Sequence, residues 1–254
     1  MFSVKGKDIA PAVVLALFLS LLVGCSRGGA EEKRAYPVLW YSGFKLPELL
    51  AEHVDVERRD QLSGLLSKNW YASIDVTKTR GEGEETFSNC EEYLQGVTPE
   101  TRTVREHEMN AFVELGVMCR ATELLRDADR SSISYIPEPI LTDSSPDDFP
   151  SDLAFETSKT ESEESRRDPE VKYWSDINEI RNVDVISPQV VDFYTTGGLQ
   201  RLELVGRGDF DGDGVEDVLI SSRDSVDGGS YQHLRLFVLS VDAEGDWRTI
   251  RSYQ

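Results

Sequence analysis

The chain has 254 residues with 27 basic and 47 acidic side chains, a formal charge of −20, and 39% of it is hydrophobic. That field excludes nucleic acid as a partner, because phosphate binding needs clustered Lys and Arg, and it disfavours anionic headgroups while suiting cations and basic proteins. Four Trp, ten Phe and nine Tyr are enough aromatic mass for one large or two small folded domains.

At the N-terminus, Lys5 and Lys7 precede an apolar stretch from Ile9 to Val23, and small Gly24 stands just before Cys25. Leu22-Val23-Gly24-Cys25 closely resembles the lipobox of bacterial lipoproteins. The resemblance implies that residues 1–24 are a signal peptide and that the Cys25 thiol receives a diacylglyceryl group and becomes the acylated mature N-terminus. With Ser26 next, it implies the outer membrane of a two-membrane cell. Each buried acyl methylene contributes about 0.8 kcal/mol, so two or three chains would hold the protein on a lipid membrane essentially permanently. The alternative is an uncleaved anchor, since about 18 apolar residues just span a bilayer. Residues 25–37, polar and glycine-containing at first, read as a lipidated flexible tether.

Residues 38–141 read as a helix-rich subdomain. Pro47 sits at a first helical position, Leu62, Leu65 and Leu66 mark a helix over 60–68, and residues 70–76 alternate as a strand does. A short helix over 87–94 carries Cys90. The clearest helix opens at Thr98-Pro99-Glu100 and runs to about Arg126, with Val104, Ala111, Leu115, Met118 and Leu125 at helical spacing and Phe112 and Cys119 flanking that stripe. With Cys25 committed to lipid, Cys90 and Cys119 remain, and an exported protein meets an oxidising compartment. They are expected to pair as a disulfide, two separately buried thiols being the alternative.

Residues 142–170 hold ten acidic residues against three basic ones, with three prolines, and read as an acidic linker between two subdomains. Residues 171–254 read as a small antiparallel β-meander. Its candidate strands cover 190–194, 199–205, 217–222, 231–241 and 247–251, separated by Gly- and Asp-rich turns. The expected fold class is therefore α+β, helix-rich first and strand-rich second.

One motif carries chemistry. Residues 209–217 read D-x-D-x-D-G-x-x-D. Ca²⁺ takes six to eight oxygen ligands, and alternate carboxylates on a tight loop supply them. Gly214 permits the sharp turn, Val215 offers its carbonyl and Asp217 closes the site; without a cation the crowded carboxylates repel. A complete EF-hand is excluded because Ile220 stands where the bidentate Glu belongs and the flanks read as strands. The stretch 204–220 resembles instead the FG-GAP/VCBS-type calcium loop of integrin-like β-propellers and many exported bacterial proteins. That resemblance implies Asp209, Asp211, Asp213, Val215 and Asp217 as Ca²⁺ ligands. Only one copy is present, and residues 171–254 are too few for a closed propeller. An ordinary Asp/Gly hairpin turn is the alternative.

No G-x-S-x-G, H-E-x-x-H or glycine-rich phosphate loop occurs; Ser42-Gly43-Phe44-Lys45 matches S-x-x-K without its downstream partners, and Arg207-Gly208-Asp209 spells an adhesion tripeptide. The expectation is a non-enzymatic, membrane-anchored envelope lipoprotein with a Ca²⁺-stabilised β module in a binding or structural role. A periplasmic inhibitor or immunity-type lipoprotein with a basic protein partner is the second reading, and an envelope hydrolase the third.

Overall fold

In the computed structural model, the described residues are 35–78, 83–155, 167–229 and 232–254. The expected signal peptide, the lipidation site Cys25 and most of the tether lie outside them. The chain runs through β1 (Leu39–Trp40), α1 (Leu62–Leu66), β2 (Ile74–Thr77), β3 (Glu85–Phe87), α2 (Cys90–Gly96), β4 (Arg102–Thr103) and the long helix α3 (Met109–Asp127). It continues through α4 (Ser145–Asp148), β5 (Ile180–Ser187), β6 (Val190–Thr195), β7 (Gly198–Gly208), β8 (Asp217–Val226), β9 (Gln232–Val241) and β10 (Trp247–Tyr253). The fold is α+β. Among the described residues no helix is long and apolar enough to cross a membrane.

Strands β5 to β10 form an antiparallel meander in sequence order, and β1 adds a seventh strand by pairing with β7. The reason is a mismatch of length. β6 covers β7 only from Leu199 to Glu203, so the second half of the same edge is open, and Leu39 and Trp40 occupy it opposite Arg207 and Gly206. The adjoining turn approaches closely: Gly43 N–H donates to Leu204 O, and a Cβ on Gly43 would lie 2.6 Å from that oxygen. The expected small meander is therefore a seven-stranded sheet that draws in the N-terminal segment.

Both faces of this sheet are buried. Val205, Leu219, Leu236 and Val238 pack with α3 on one face, whereas Leu202, Leu204, Ile220, Phe237 and Leu239 pack on the other against Ile140, Phe149, Leu153 and Trp174. Antiparallel sheets commonly leave one face to water, and here β8 and β9 carry near-continuous buried runs instead. Residues 142–155, the first half of the expected acidic linker, form the second covering layer: Phe149 and Leu153 are fully buried between the acidic positions. The segments expected as two subdomains thus share one sheet and belong to one compact unit.

Helix α3 starts at Met109, eleven residues after the expected opening. Residues 102–103 pair with β2 in a three-stranded sheet of order β3-β2-β4, as suits Thr101, Thr103 and Val104 with their β-branched side chains, and Val104 is 44% exposed rather than on the core stripe. From Leu115 to Leu125 nearly every α3 residue is buried, because α1, α2 and the large sheet surround it. Cys90 and Cys119 are joined in a disulfide between α2 and α3, with Cα atoms 5.2 Å apart.

Candidate metal centre

The loop 209–217 connects the ends of β7 and β8. Gly212 and Gly214 both take positive φ, +87° and +84°, a backbone region that glycine enters without steric cost. The freed amides turn inward. Asp209 accepts from Gly212 N–H at 2.7 Å and from Gly214 N–H at 2.8 Å, Asp211 accepts from Asp213 N–H at 3.1 Å, and Asp217 Oδ2 accepts from Phe210 N–H at 2.9 Å.

Three of the five expected ligand residues come together: Asp209, Asp211 and Asp217 each place one carboxylate oxygen within 4.8 Å of the others. Asp213 stands outside that group. Its Oδ1 accepts from Val215 N–H at 2.7 Å and its Oδ2 lies 3.4 Å from Arg248, a cation on β10 that draws it outward. Val215 makes a parallel bridge with Ile133.

Asp217 has the least ordinary environment. It is fully buried, and its Oδ1 has no well-formed hydrogen bond, nor has the hydroxyl of Ser240 opposite it in register on β9. Burial pushes its carboxyl up to about 6; the negative charges of Asp211 and Asp213 add to that, while the Phe210 N–H and the nearby Ser240 hydroxyl pull it back. A buried carboxylate with one well-formed hydrogen bond, from Phe210 N–H, beside two more carboxylates is of the donor type that hard cations take. The residues present fit Ca²⁺ in type. Asp209, Asp211 and Asp217 would hold it, and the ion would neutralise their repulsion.

No known protein family, curated protein or solved structure matches this chain.

What surrounds the loop has no local signature, since its partners come from distant parts of the chain. Glu216, between two loop residues, is buried and accepts from Arg207 at 2.8 Å, and Arg207 also pairs with exposed Glu138. Burial alone would lower the Arg207 guanidinium, but the hydrogen bond and charge of Glu216 hold it above its usual value. Asp209 of the adhesion-like tripeptide faces inward, only 5% exposed. The lysine of the S-x-x-K match is bound elsewhere, Lys45 Nζ lying 2.6 Å from Glu203. A groove of about 490 Å³ beside α3 is lined by Tyr93, Phe112 and Tyr253, and its charged lining residues are Arg102 and Arg120 rather than carboxylates.

Proposed function

We propose that this chain is a non-enzymatic, lipid-anchored envelope protein whose sheet is locked by a divalent cation, Ca²⁺ by preference, at the 209–217 loop. The single observation that carries the metal reading is Asp217, a fully buried carboxylate with one well-formed hydrogen bond, from Phe210 N–H, that places an oxygen within 4.8 Å of Asp209 and Asp211. The loop's resemblance also implies the Val215 carbonyl and Asp213, although Asp213 stands outside the trio and lies against Arg248. Three protein carboxylates suit the weak end of Ca²⁺ affinity, Kd about 10⁻⁴ to 10⁻³ M, appropriate to a calcium-rich exterior. The anchor rests on the Leu22-Val23-Gly24-Cys25 segment.

Calorimetric titration of the detergent-extracted protein with Ca²⁺ tests the site, and wild-type heat that survives in Asp211→Ala would move the ion elsewhere. Cell labelling with a fatty-acid analogue tests the anchor. Cys25→Ser removes the only thiol placed to accept the diacylglyceryl group, so label persisting in that variant would refute the lipobox reading. A basic protein partner remains the second reading, supported by the charge of −20.

A further inference from the structure

Beyond the strands it joins, the loop makes its backbone hydrogen bonds to residues 129–133, among the described residues. Asp129 and Asp209 exchange both backbone hydrogen bonds, at 2.9 and 3.0 Å, and the Gly214 carbonyl accepts from Ser132 N–H at 2.8 Å and Ile133 N–H at 3.2 Å. Glu216 N–H returns a bond to Ile133 O at 2.8 Å. Arg207 adds a side-chain tie by holding Glu216 and Glu138 together. Residues 129–138 follow α3, which covers one face of the sheet, and lead into Ile136 and Ile140, which belong to the core on the other face. They form a strap around the end of the sheet that exchanges backbone hydrogen bonds with the metal loop in both directions.

We propose that the 209–217 loop is a cation-set clasp on the strap 129–138, a coupling that rests on the metal reading above. Without a cation, the repulsion among Asp209, Asp211 and Asp217 loosens the loop and moves the Asp209 and Gly214 carbonyls away from the strap amides. With a cation, the loop is held in the shape that presents those carbonyls, and the strap closes. The strap carries Ile133 and Tyr135, 45% and 41% exposed, so the clasp also sets how this apolar pair is presented next to the exposed carboxylates of Asp211 and Asp213. Coupling between binding and closure is reciprocal: whatever factor the cation contributes to strap closure, an intact strap contributes to cation affinity.

The test is hydrogen exchange on the full-length protein in detergent, with Ca²⁺ or chelator, beside calorimetry on the same samples. Peptides spanning 129–138 are expected to exchange about tenfold slower with Ca²⁺, while the disulfide-linked α2 and α3 change little. Glu138→Ala removes an exposed partner of Arg207 and leaves the core intact; it is expected to speed strap exchange and weaken Ca²⁺ binding by the same factor, about two- to fivefold. Measured Ca²⁺ binding with unchanged strap exchange would overturn the clasp and leave the metal site standing. Equal slowing across the chain would also overturn it, as global stabilisation. Absence of Ca²⁺ binding would remove the reading on which the clasp rests.

Discussion

Asp217 concentrates the chemistry of this molecule because folding takes its carboxylate out of water without supplying a full set of donors. Its folded-state value of about 6 lies above that of a free aspartate, about 4, so folding favours the protonated form. The stabilisation from this group is therefore complete below pH 4 in metal-free protein and is lost as pH rises through 6. Asp217→Asn keeps an acceptor for the Phe210 amide and removes the titration. In chelator, melting temperature of wild type relative to Asp217→Asn is expected to fall between pH 4 and 7; a flat difference would place the raised carboxyl elsewhere. Added Ca²⁺ binds the ionised form, so it should reverse that slope in wild type and do nothing in the variant. Asp211→Ala removes a ligand and one unit of repulsion together, and is expected to abolish the Ca²⁺-dependent melting shift while altering metal-free stability only modestly. The loop was legible because three alternate aspartates and two glycines exceed what a hairpin turn requires. Asp213's turn toward Arg248 was not, since β10 approaches only through the sheet.

The elements show where local reading stops. Leucine spacing marks α1 and the body of α3, and Asn89 caps α2 by accepting from Glu92 N–H, but the opening of α3 carries no side-chain cap and lies eleven residues beyond its expected place. The pairing of Cys90 with Cys119 was expected because they are the two cysteines left once Cys25 is assigned to lipid and because an exported protein meets an oxidising compartment. The disulfide closes a loop of 29 residues, so reducing it should cost about 3 to 4 kcal/mol, read as a lowered denaturant midpoint, and alkylation of the denatured, non-reduced mature protein should find no free thiol. Strand β5 escaped detection because it is a sheet edge whose residues are mostly exposed, with no clean alternation to see. The covering layer was hidden by averaging: ten carboxylates over 142–170 mask Phe149, Leu153 and Phe155. A buried polar network pins that layer. Arg235, 1% exposed, meets fully buried Asp224 at 2.8 Å and donates to the carbonyls of Asp152, Leu153 and Ala154, while Gln200 donates to Leu153 O and Ser222 Oγ. Arg235→Met removes the buried charge partner of Asp224, which keeps its bond from Ser222 Oγ, and should cost about 3 to 5 kcal/mol in chemical denaturation. A loss below about 1 kcal/mol would mean that water reaches the pair.

At the scale of the whole molecule, the sheet explains why a sequence that reads as two subdomains folds, over the described residues, as one unit. A meander covered on one face can stand alone, and the turn-rich C-terminal third reads that way. Here β7, β8 and β9 present apolar side chains in both directions, so the sheet needs α3 and the 133–155 layer, both earlier in the chain, and needs β1 along its open edge. Residues 171–254 expressed alone should therefore fail to give a monomeric folded domain. Val205, Leu219, Leu236 and Val238 would be stripped of their helix and Ile220, Phe237 and Leu239 of their cover, and uncovered sheet faces and edges associate. The expected readout is aggregation on size exclusion or strong binding of an apolar dye, against clean behaviour of residues 35–254. Ca²⁺ should not rescue the fragment, because a loop that binds the ion at 10⁻⁴ to 10⁻³ M gains only about 2 to 3 kcal/mol even at a hundredfold excess. That is less than the missing layers supply, since burying one large apolar side chain already contributes about 1.5 to 3 kcal/mol and the fragment lacks cover for at least seven. A monomeric fragment with a sharp thermal transition would mean that the sheet carries its own stability and that the layers are additions to it.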